Sequence, residues 1–182
     1  MKRVRVGLVA DSHGYLDARI AERMRACDLV VHAGDIGNAA VLEALAASGK
    51  PVFAVRGNND TCARWDAGGH RVLQELPEEA VVDLPGGRLV VVHGHREGTA
   101  ALRHRRLRTR YPEARAVVYG HSHRLVCDCS GPTWVLNPGA CGRARTFGGP
   151  SCLVLEASVS RWCVTEYREP IESPSRPRRR RS

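Results

Sequence analysis

The chain has 182 residues, of which 43% are hydrophobic, enough for one domain with a substantial core. Its apolar runs are much shorter than the ~18 residues of a membrane-spanning helix, which excludes that class. We interpret the net charge of +9 as surface solvation first and nucleic-acid affinity second, because aromatic residues do not alternate with the basic ones.

Short β-branched runs alternate with helical patterns in the first part of the chain. The predicted strands are Val4–Ala10, Leu29–Ala33 and Pro51–Val55. Apolar residues at three- and four-residue spacing predict helices over Leu16–Cys27 and Ala39–Ala47. This alternation predicts an α/β protein with parallel strands joined by crossover helices.

The next part begins with a hairpin and ends in strands alone. Leu84–Arg88 joins two β-rich runs through Pro-Gly-Gly, so we expect a hairpin turn there. The following elements are a strand over Arg88–Val92, a helix over Gly98–Arg110 and a strand over Ala116–Tyr119. The later strand patterns are Leu125–Cys129, Thr133–Leu136, Ser151–Glu156 and Arg161–Tyr167. They predict either a second sheet or antiparallel additions to the first.

Each of five predicted strands ends in polar residues that can bind a metal ion. These segments are Asp11-Ser12-His13, Gly34-Asp35, Gly57-Asn58-Asn59-Asp60, His93-Gly94-His95 and Gly120-His121-Ser122-His123. In open α/β sheets, ligands bind outside the carboxyl ends of the strands, so we expect the five segments to converge on one site. One such motif occurs by chance in many proteins, whereas five in succession are a specific signal.

The residue types at these strand ends indicate the metal chemistry. Asp11 and His13 are two residues apart, as are His121 and His123, so an extended backbone would place each pair on one face. Carboxylate, imidazole and amide groups without thiolates suit borderline divalent ions such as Mn²⁺, Fe²⁺, Ni²⁺ or Zn²⁺. The number of candidate ligands suits two ions ~3.5–4 Å apart. Two metal ions at this separation can catalyse the displacement of an oxygen at phosphorus.

In order, these segments resemble the motifs of the calcineurin-like metallophosphoesterases, and most closely those of the small YfcE-type phosphodiesterases. The resemblance extends from about residue 4 to residue 165 and includes Asn137-Pro138-Gly139-Ala140, which is similar to that subgroup's NPGS loop. It implies a four-layer α/β/β/α sandwich, in which two mixed β-sheets are flanked by helices. It also implies a dinuclear metal-dependent phosphodiesterase that hydrolyses a phosphate ester by attack of a metal-bridging hydroxide.

The resemblance implies a role for each strand-end residue. The implied ligands of one ion are Asp11, His13, Asp35 and His123, and those of the second ion are Asp35, Asn58, His93 and His121. Asp35 would bridge the two ions, and Asn58 would also stabilise the negative charge that develops on the phosphoryl oxygens. We expect two divalent ions, with Mn²⁺ preferred and Ni²⁺, Fe²⁺, Zn²⁺ or Mg²⁺ as alternatives.

One departure from the family pattern concerns the leaving group. Many relatives have histidine after the metal-binding asparagine, whereas this chain has Asn59, which cannot act as an acid. We therefore expect activity on activated or aryl diesters and weaker activity on monoesters. His95 is a candidate replacement acid. Asp60 is expected either to orient ligands or to cap a turn, and Arg96 and Arg124 either to bind phosphate or to be solvated.

Two other classes of function stay open. A scaffold that keeps this fold without catalysis, like the retromer subunit that resembles these enzymes, predicts missing ligands, and here every implied ligand is present. A nuclease-like phosphodiesterase would bind nucleic acid through the basic C-terminal segment. We expect a small-molecule phosphate diester as substrate and no membrane partner, and we leave the oligomeric state open.

Composition divides the chain into a phosphoesterase domain over residues 1–167 and a tail over residues 168–182. The tail is rich in Arg, Pro and Ser, which cannot build a packed core, so we expect it to be disordered. The seven cysteines are an odd number, and Cys127 and Cys129 lack a second close pair, which argues against a disulfide framework and a zinc site. Free thiols favour a cytoplasmic location.

Overall fold

The structure is a computed structural model that describes residues 3–171. Within these residues the chain forms ten strands and four α-helices. In chain order, the first six strands and α-helices are β1 (Val4–Val9), α1 (Ala18–Arg25), β2 (Leu29–His32), α2 (Ala39–Ala46), β3 (Val52–Ala54) and α3 (His70–Glu75). The others are β4 (Glu79–Leu84), β5 (Gly87–Val92), α4 (Ala100–Arg110), β6 (Ala116–Val118), β7 (Leu125–Asp128), β8 (Trp134–Pro138), β9 (Ser151–Ala157) and β10 (Trp162–Arg168).

The strands form two mixed sheets of five strands each within residues 3–171. The first sheet has the order β10-β9-β1-β2-β3, and the second has the order β4-β5-β6-β8-β7. In the first sheet β1, β2 and β3 run parallel, and in the second β5, β6 and β8 run parallel. The sequence predicted that the late strands form either a second sheet or antiparallel additions to the first, and both arrangements occur. Strands β7 and β8 belong to the second sheet, while β9 and β10 extend the first in antiparallel fashion.

An apolar core fills the space between the two sheets. Leu8 of β1 and Val31 of β2 lie in the same buried cluster as Leu89 and Val91 of β5, and none of the four is exposed. Side chains at alternate positions of each strand enter this core, as the pleat of a β-strand requires.

The helices cover the outer faces of the sheets. Ile20 of α1, Leu45 of α2 and Leu73 of α3 form a second cluster against the first sheet. Leu107 of α4 packs with Val117 of β6 on the second sheet. The central strands are therefore buried on both faces, which explains their continuous apolar sequences. The predicted four-layer α/β/β/α sandwich is confirmed.

Helix ends differ from the sequence prediction where a cap or a short element was not recognised. The helix predicted from Leu16 begins at Ala18, because the Asp17 side chain caps it by accepting a hydrogen bond from the Arg19 backbone N–H at 2.9 Å. Helix α3 has only six residues, too few for a helical period to appear in the sequence.

The boundary that composition predicted at residue 168 falls inside β10, which ends at Arg168. The next residue, Glu169, is buried and accepts a hydrogen bond from Arg23 Nε at 2.8 Å. The packed chain thus continues beyond the predicted domain end, because this carboxylate has a partner on α1. Residues 172–182 of the predicted tail lie outside the described residues.

All seven cysteines are free thiols. The sulfur atoms of Cys127 and Cys129 lie 3.5 Å apart on β7 and the residue after it. Over residues 3–171 no helix is both long and apolar enough to cross a membrane.

Candidate metal centre

The five predicted strand ends meet at one edge of the sandwich, where the two sheets face each other. Parallel pairing of β1 with β2 brings the first two segments together, and the Asp11 backbone N–H donates to the Gly34 carbonyl at 3.0 Å. A bond between the sheets follows, in which the His121 backbone N–H donates to Asp11 Oδ1 at 3.1 Å. The predicted convergence of the strand ends is therefore observed.

The backbone at these strand ends is left-handed rather than extended. The φ angles are 53° at Asp11, 48° at His13, 54° at Asp35, 65° at His121 and 56° at His123. The expectation that an extended backbone places each pair on one face is thus wrong, because these residues turn the chain sharply. Non-glycine residues adopt this conformation rarely and at a cost of ~1–3 kcal/mol each, so strain is concentrated at the candidate site.

One group of donor atoms lies around His123. Its Nε2 atom is 3.1 Å from His13 Nε2 and 3.6 Å from Asp11 Oδ1. The Asp35 carboxylate approaches from the other side, with Oδ2 at 3.9 Å from His13 Nε2. Asp11, His13 and His123 therefore form a group that can hold a metal ion.

A second group of donor atoms lies around His93. Its Nε2 atom is 3.1 Å from Asn58 Oδ1 and 3.3 Å from Asp35 Oδ1. Asn58 Oδ1 is also 3.1 Å from His121 Nδ1. Asp35 thus directs one oxygen toward each group, and it forms a further candidate group with Asp11 and His93.

Hydrogen bonds orient two of the imidazoles. His93 Nδ1 donates to the Ala33 carbonyl at 2.8 Å, and His123 Nδ1 donates to the Ala144 carbonyl at 3.0 Å. Each bond uses Nδ1 as the donor, so Nε2 is the ring atom that is directed into the cluster. This is the second hydrogen bond that a metal-ligating histidine ordinarily makes.

The electrostatics of the cluster suit neutral imidazoles at His121 and His123 and an ionised carboxylate at Asp35. Burial lowers the pKa of His121 and of His123 to about 4, and nearby positive charge adds to the effect. Burial raises the pKa of Asp35, but hydrogen bonds from His93 and Asn59 outweigh it and hold that pKa well below its usual range. Near neutral pH the lone pairs of His121 and His123 are therefore available. Burial lowers the pKa of His93, but the Asp35 carboxylate outweighs it and raises that pKa, so a metal ion would displace a proton from this ring.

The negative charge of Asp11 is only partly compensated within the cluster. Its side chain is fully buried, and Oδ2 has no hydrogen-bond partner among residues 3–171. Burial raises the pKa of this carboxyl group to about 7, although the positive charge of His93 opposes the shift. A divalent cation would supply the missing partner, so the donor set fits a metal ion.

Two glycines allow the strand ends to approach this closely. A Cβ atom on Gly57 would lie 2.2 Å from Asp35 Oδ1. At Gly34, where φ is +88°, a Cβ atom would lie 2.7 Å from His93 Nδ1. Only glycine fits at either position without displacing a candidate ligand.

The residues after Asn58 support the cluster. Asn59 donates to Asp35 twice, from the backbone N–H at 2.8 Å and from Nδ2 at 2.6 Å. Asp60 is buried, and its two oxygens accept hydrogen bonds from Ile36 N, Gly37 N, Gly57 N and Trp65 Nε1 at 2.8–3.1 Å. Asp60 thus joins the loop after β2 to the loop after β3.

The other candidate residues have different surroundings. The His95 ring lies 5.5 Å from the His93 ring, and its Nδ1 has no hydrogen-bond partner in the described part of the chain. Arg96 binds Glu78, with Nη2 at 2.8 Å from Oε1. The Arg124 guanidinium lies over the Phe147 ring at 4.4 Å from its centroid.

The sequence analysis did not identify Arg145 as part of this site. Its Nη2 atom donates to His123 Nε2 at 3.1 Å. Arg145 follows β8, which runs parallel to β6 and is thus a sixth strand that ends at the same edge. The Asn137-Pro138-Gly139 segment at the end of this strand was the available signal, but it lies several residues before the arginine.

The fold and the cluster together define an α/β/β/α sandwich with a candidate metal centre between the ends of its two sheets. The chain belongs to the calcineurin-like phosphoesterase superfamily, whose domain profile matches residues 4–160. The predicted family membership is confirmed.

Three relatives illustrate the similarity. Phosphodiesterase MJ0936 of Methanocaldococcus jannaschii is 24% identical over 180 residues, covering 91% of this chain and 98% of that protein. A predicted phosphoesterase from Streptococcus pneumoniae is 23% identical with a TM-score of 0.66, and the match covers 96% of this chain and 95% of that one. Wild-type Vps29 from Entamoeba histolytica, complexed with Zn²⁺, is 20% identical with a TM-score of 0.71, over 90% and 92% of the two chains. At these identities the structural matches show a shared fold.

Proposed function

We propose that the protein is a dinuclear metal-dependent phosphodiesterase acting on small phosphate diesters. The observation that supports this proposal best is the buried Asp11 carboxylate, which is grouped with His13 and His123 and has one oxygen without a hydrogen-bond partner within residues 3–171. One ion would be held by Asp11, His13, Asp35 and His123, and the other by Asp35, Asn58, His93 and His121. When bound, such ions supply positive charge for phosphoryl oxygens and make water more acidic.

The chain's own residues would position the ligands and limit the leaving group. Asn59 donates hydrogen bonds to Asp35 from its backbone N–H and from its side-chain Nδ2, so this residue holds the bridging carboxylate. Its amide side chain has no acidic proton to transfer. Diesters whose leaving groups are already stable as anions are therefore the expected substrates, with aryl esters foremost. Asn58 presents its amide at the exposed rim of the cluster, where it can also donate a hydrogen bond to phosphate.

His95 is the candidate donor to the leaving oxygen. It lies beside His93 and His121, with ring centroids at 5.5 and 6.3 Å, and carries a ring nitrogen without a partner among residues 3–171. Burial and the nearby positive charge of His93 lower its pKa. The His95→Ala variant tests this role: loss of the basic limb of the kcat–pH profile is expected, and an unchanged limb excludes it.

The test of the proposed function is a hydrolysis panel on protein reconstituted with Mn²⁺, Ni²⁺, Fe²⁺, Zn²⁺ or Mg²⁺. The substrates are a bis-aryl diester, an aryl monoester, cyclic nucleotides and short oligonucleotides. We expect turnover of the bis-aryl diester first, its loss in Asp35→Asn, and its retention in Asp83→Asn, whose side chain is 83% exposed. No turnover with any metal would contradict the proposal.

Two alternatives would appear as outcomes of the same panel. Because Vps29 shares the fold and binds Zn²⁺, metal uptake without hydrolysis would favour a scaffold over an enzyme. A preference for oligonucleotides that weakens steeply with salt, and that is lost when residues 172–182 are removed, would favour a nucleic-acid-directed enzyme. Every implied histidine, aspartate and asparagine ligand is present in the sequence, which favours the enzyme over the scaffold.

A further inference from the structure

The Arg145 guanidinium forms no ion pair in the part of the chain that the structure describes, and its charge acts on the buried Asp11 carboxylate from beyond ion-pair distance. Its polar contact is the hydrogen bond to His123 Nε2 at 3.1 Å. Within residues 3–171 no ion pair joins it to a carboxylate, whereas Arg96 and Arg110 each bind glutamates. Arg145 also has φ of 52°, an uncommon conformation for a residue with a side chain.

The position of the Arg145 guanidinium becomes less favourable once a metal ion occupies the cluster. His123 Nε2 has one lone pair, and an ion that takes it leaves Arg145 without its hydrogen bond. The guanidinium would then face a divalent cation at short range, which is unfavourable unless an anion lies between them. Arginine binds phosphate through two parallel hydrogen bonds, so a phosphoryl group is the anion that fits best.

An aromatic surface lies two residues further along the same loop. The Phe147 ring is 47% exposed, and Arg124 covers one of its faces at 4.4 Å from the centroid. Arg124 directly follows the candidate ligand His123, so this pair lies beside the cluster. An exposed phenyl ring held by an arginine is a surface on which another flat ring can stack.

The loop that carries both residues is anchored at three points. The Cys141 backbone N–H donates to the Ala10 carbonyl at 3.0 Å, at the end of β1. The Ala144 carbonyl accepts from His123 Nδ1 at 3.0 Å. The Phe147 carbonyl accepts from Arg168 Nη1 at the end of β10. These bonds hold Arg145 and Phe147 in a fixed relation to the cluster.

We infer that Arg145, Phe147 and Arg124 form a substrate subsite for a phosphoester that carries a flat aromatic ring. Arg145 binds a non-reacting phosphoryl oxygen, and the Phe147–Arg124 pair stacks the ring of the ester group. This inference rests on the proposed function, since it concerns the substrate of the same site. It narrows the substrate class to esters of nucleosides or of simple aryl alcohols.

Calorimetric titration of the full-length Mn²⁺-loaded protein tests the subsite directly. The probes are inorganic phosphate, ribose 5-phosphate, adenosine 5′-monophosphate and phenyl phosphate, with phosphate release followed in the same samples. Arg145→Gln should weaken all four by roughly 10-fold or more, the value of a lost charge-assisted hydrogen bond. Phe147→Ala should weaken only the two aromatic probes, by roughly 5-fold or more.

The matched control is Arg143→Gln, because Arg143 lies in the same loop but stacks on Tyr15, 3.5 Å from that ring's centroid. It removes the same charge and should leave all four affinities within about 2-fold of the wild type. Adenosine 5′-monophosphate binding more tightly than phenyl phosphate identifies a nucleoside ester, and the reverse order identifies a simple aryl ester.

The possible failures are distinguishable. If the wild type takes up no Mn²⁺, as measured by elemental analysis, the proposed function fails and the subsite with it. If the wild type binds Mn²⁺ and phosphate but Arg145→Gln behaves like Arg143→Gln, only the role of Arg145 is overturned. If the aromatic probes bind no more tightly than ribose 5-phosphate, or are unaffected by Phe147→Ala, the stacking surface is overturned.

Discussion

Replacing Asp11 with asparagine should stabilise the metal-free protein while preventing metal uptake. The asparagine has nearly the same shape, and its Oδ1 can keep the hydrogen bond from the His121 backbone N–H, which is 3.1 Å long in the wild type. What it removes is a negative charge that is fully buried and has one oxygen without a partner among the described residues. The substitution therefore separates the cost of the charge from the cost of lost packing.

The magnitude follows from the pKa of Asp11, which is about 7 in the folded protein against an ordinary value of 3.8. Because this pKa is raised on folding, the folded state holds the proton more tightly, and stability falls as pH rises from about 3.8 to about 7. At ~1.4 kcal/mol per pH unit, this carboxyl group costs roughly 2 kcal/mol at pH 5, where it must take up a proton on folding, and roughly 4 kcal/mol at pH 8, where it is ionised in the folded protein. Asp11→Asn should recover about these amounts.

Urea denaturation in the presence of a chelator measures this difference. At pH 8 the midpoint of Asp11→Asn should lie above that of the wild type at equal m-value, and the gap should narrow at pH 5. Adding Mn²⁺ should stabilise the wild type and leave the variant unchanged. A variant that is less stable than the wild type at pH 8 without metal, or a gap that does not change with pH, would refute the argument.

The remaining predictions concern the neighbours of Asp11. His121→Ala should empty mainly the second ion's site and His123→Ala mainly the first, as resolved by crystallographic metal occupancy; equal loss at both sites in each variant would rule out this division. Gly57→Ala should weaken Mn²⁺ binding by ~100-fold in calorimetry, because its methyl carbon would lie 2.2 Å from Asp35 Oδ1. Gly68→Ala, whose nearest atom would be 3.3 Å away, is the control, and equal effects would count against the steric argument. Asn59→Ala removes the Nδ2 hydrogen bond, one of those that lower the pKa of Asp35, so Mn²⁺ should be released at higher pH on acidification. An unchanged release midpoint would show that this side-chain bond does not tune the pKa of the carboxylate.

The convergence of the candidate ligands could be predicted because it depends on strand direction alone. A polar residue directly after a buried parallel strand lies at the carboxyl edge of the sheet, whatever the neighbouring loop does. Asp11, Asp35 and His93 each follow a strand at once or within a few residues, and the structure places them together. The alternation of buried strands and amphipathic helices likewise predicted the layers.

The local backbone at the site could not be predicted in the same way. His121 and His123 share a two-residue spacing that suits a strand face, but β6 ends at Val118 and both residues are left-handed. Their conformation results from tertiary contacts, such as the bond from the His121 backbone to Asp11 in the other sheet. A sequence period describes one strand and carries no information about such bonds.

Arg145 was missed for a related reason. It lies seven residues beyond Pro138, where β8 ends, in a loop whose path depends on bonds from His123 and Arg168. Because those partners are distant in sequence, neither composition nor spacing distinguishes Arg145 from the chain's many solvated arginines.

The most direct test of the central claim is a metal titration of diester hydrolysis. Chelator-treated protein is mixed with increasing equivalents of Mn²⁺, and the initial rate of bis-aryl phosphate hydrolysis is measured at each step. We predict that turnover is absent without metal and rises until two equivalents are bound, with no rise in Asp35→Asn. Turnover by the metal-free protein, or no turnover with both equivalents bound, would contradict a dinuclear phosphodiesterase.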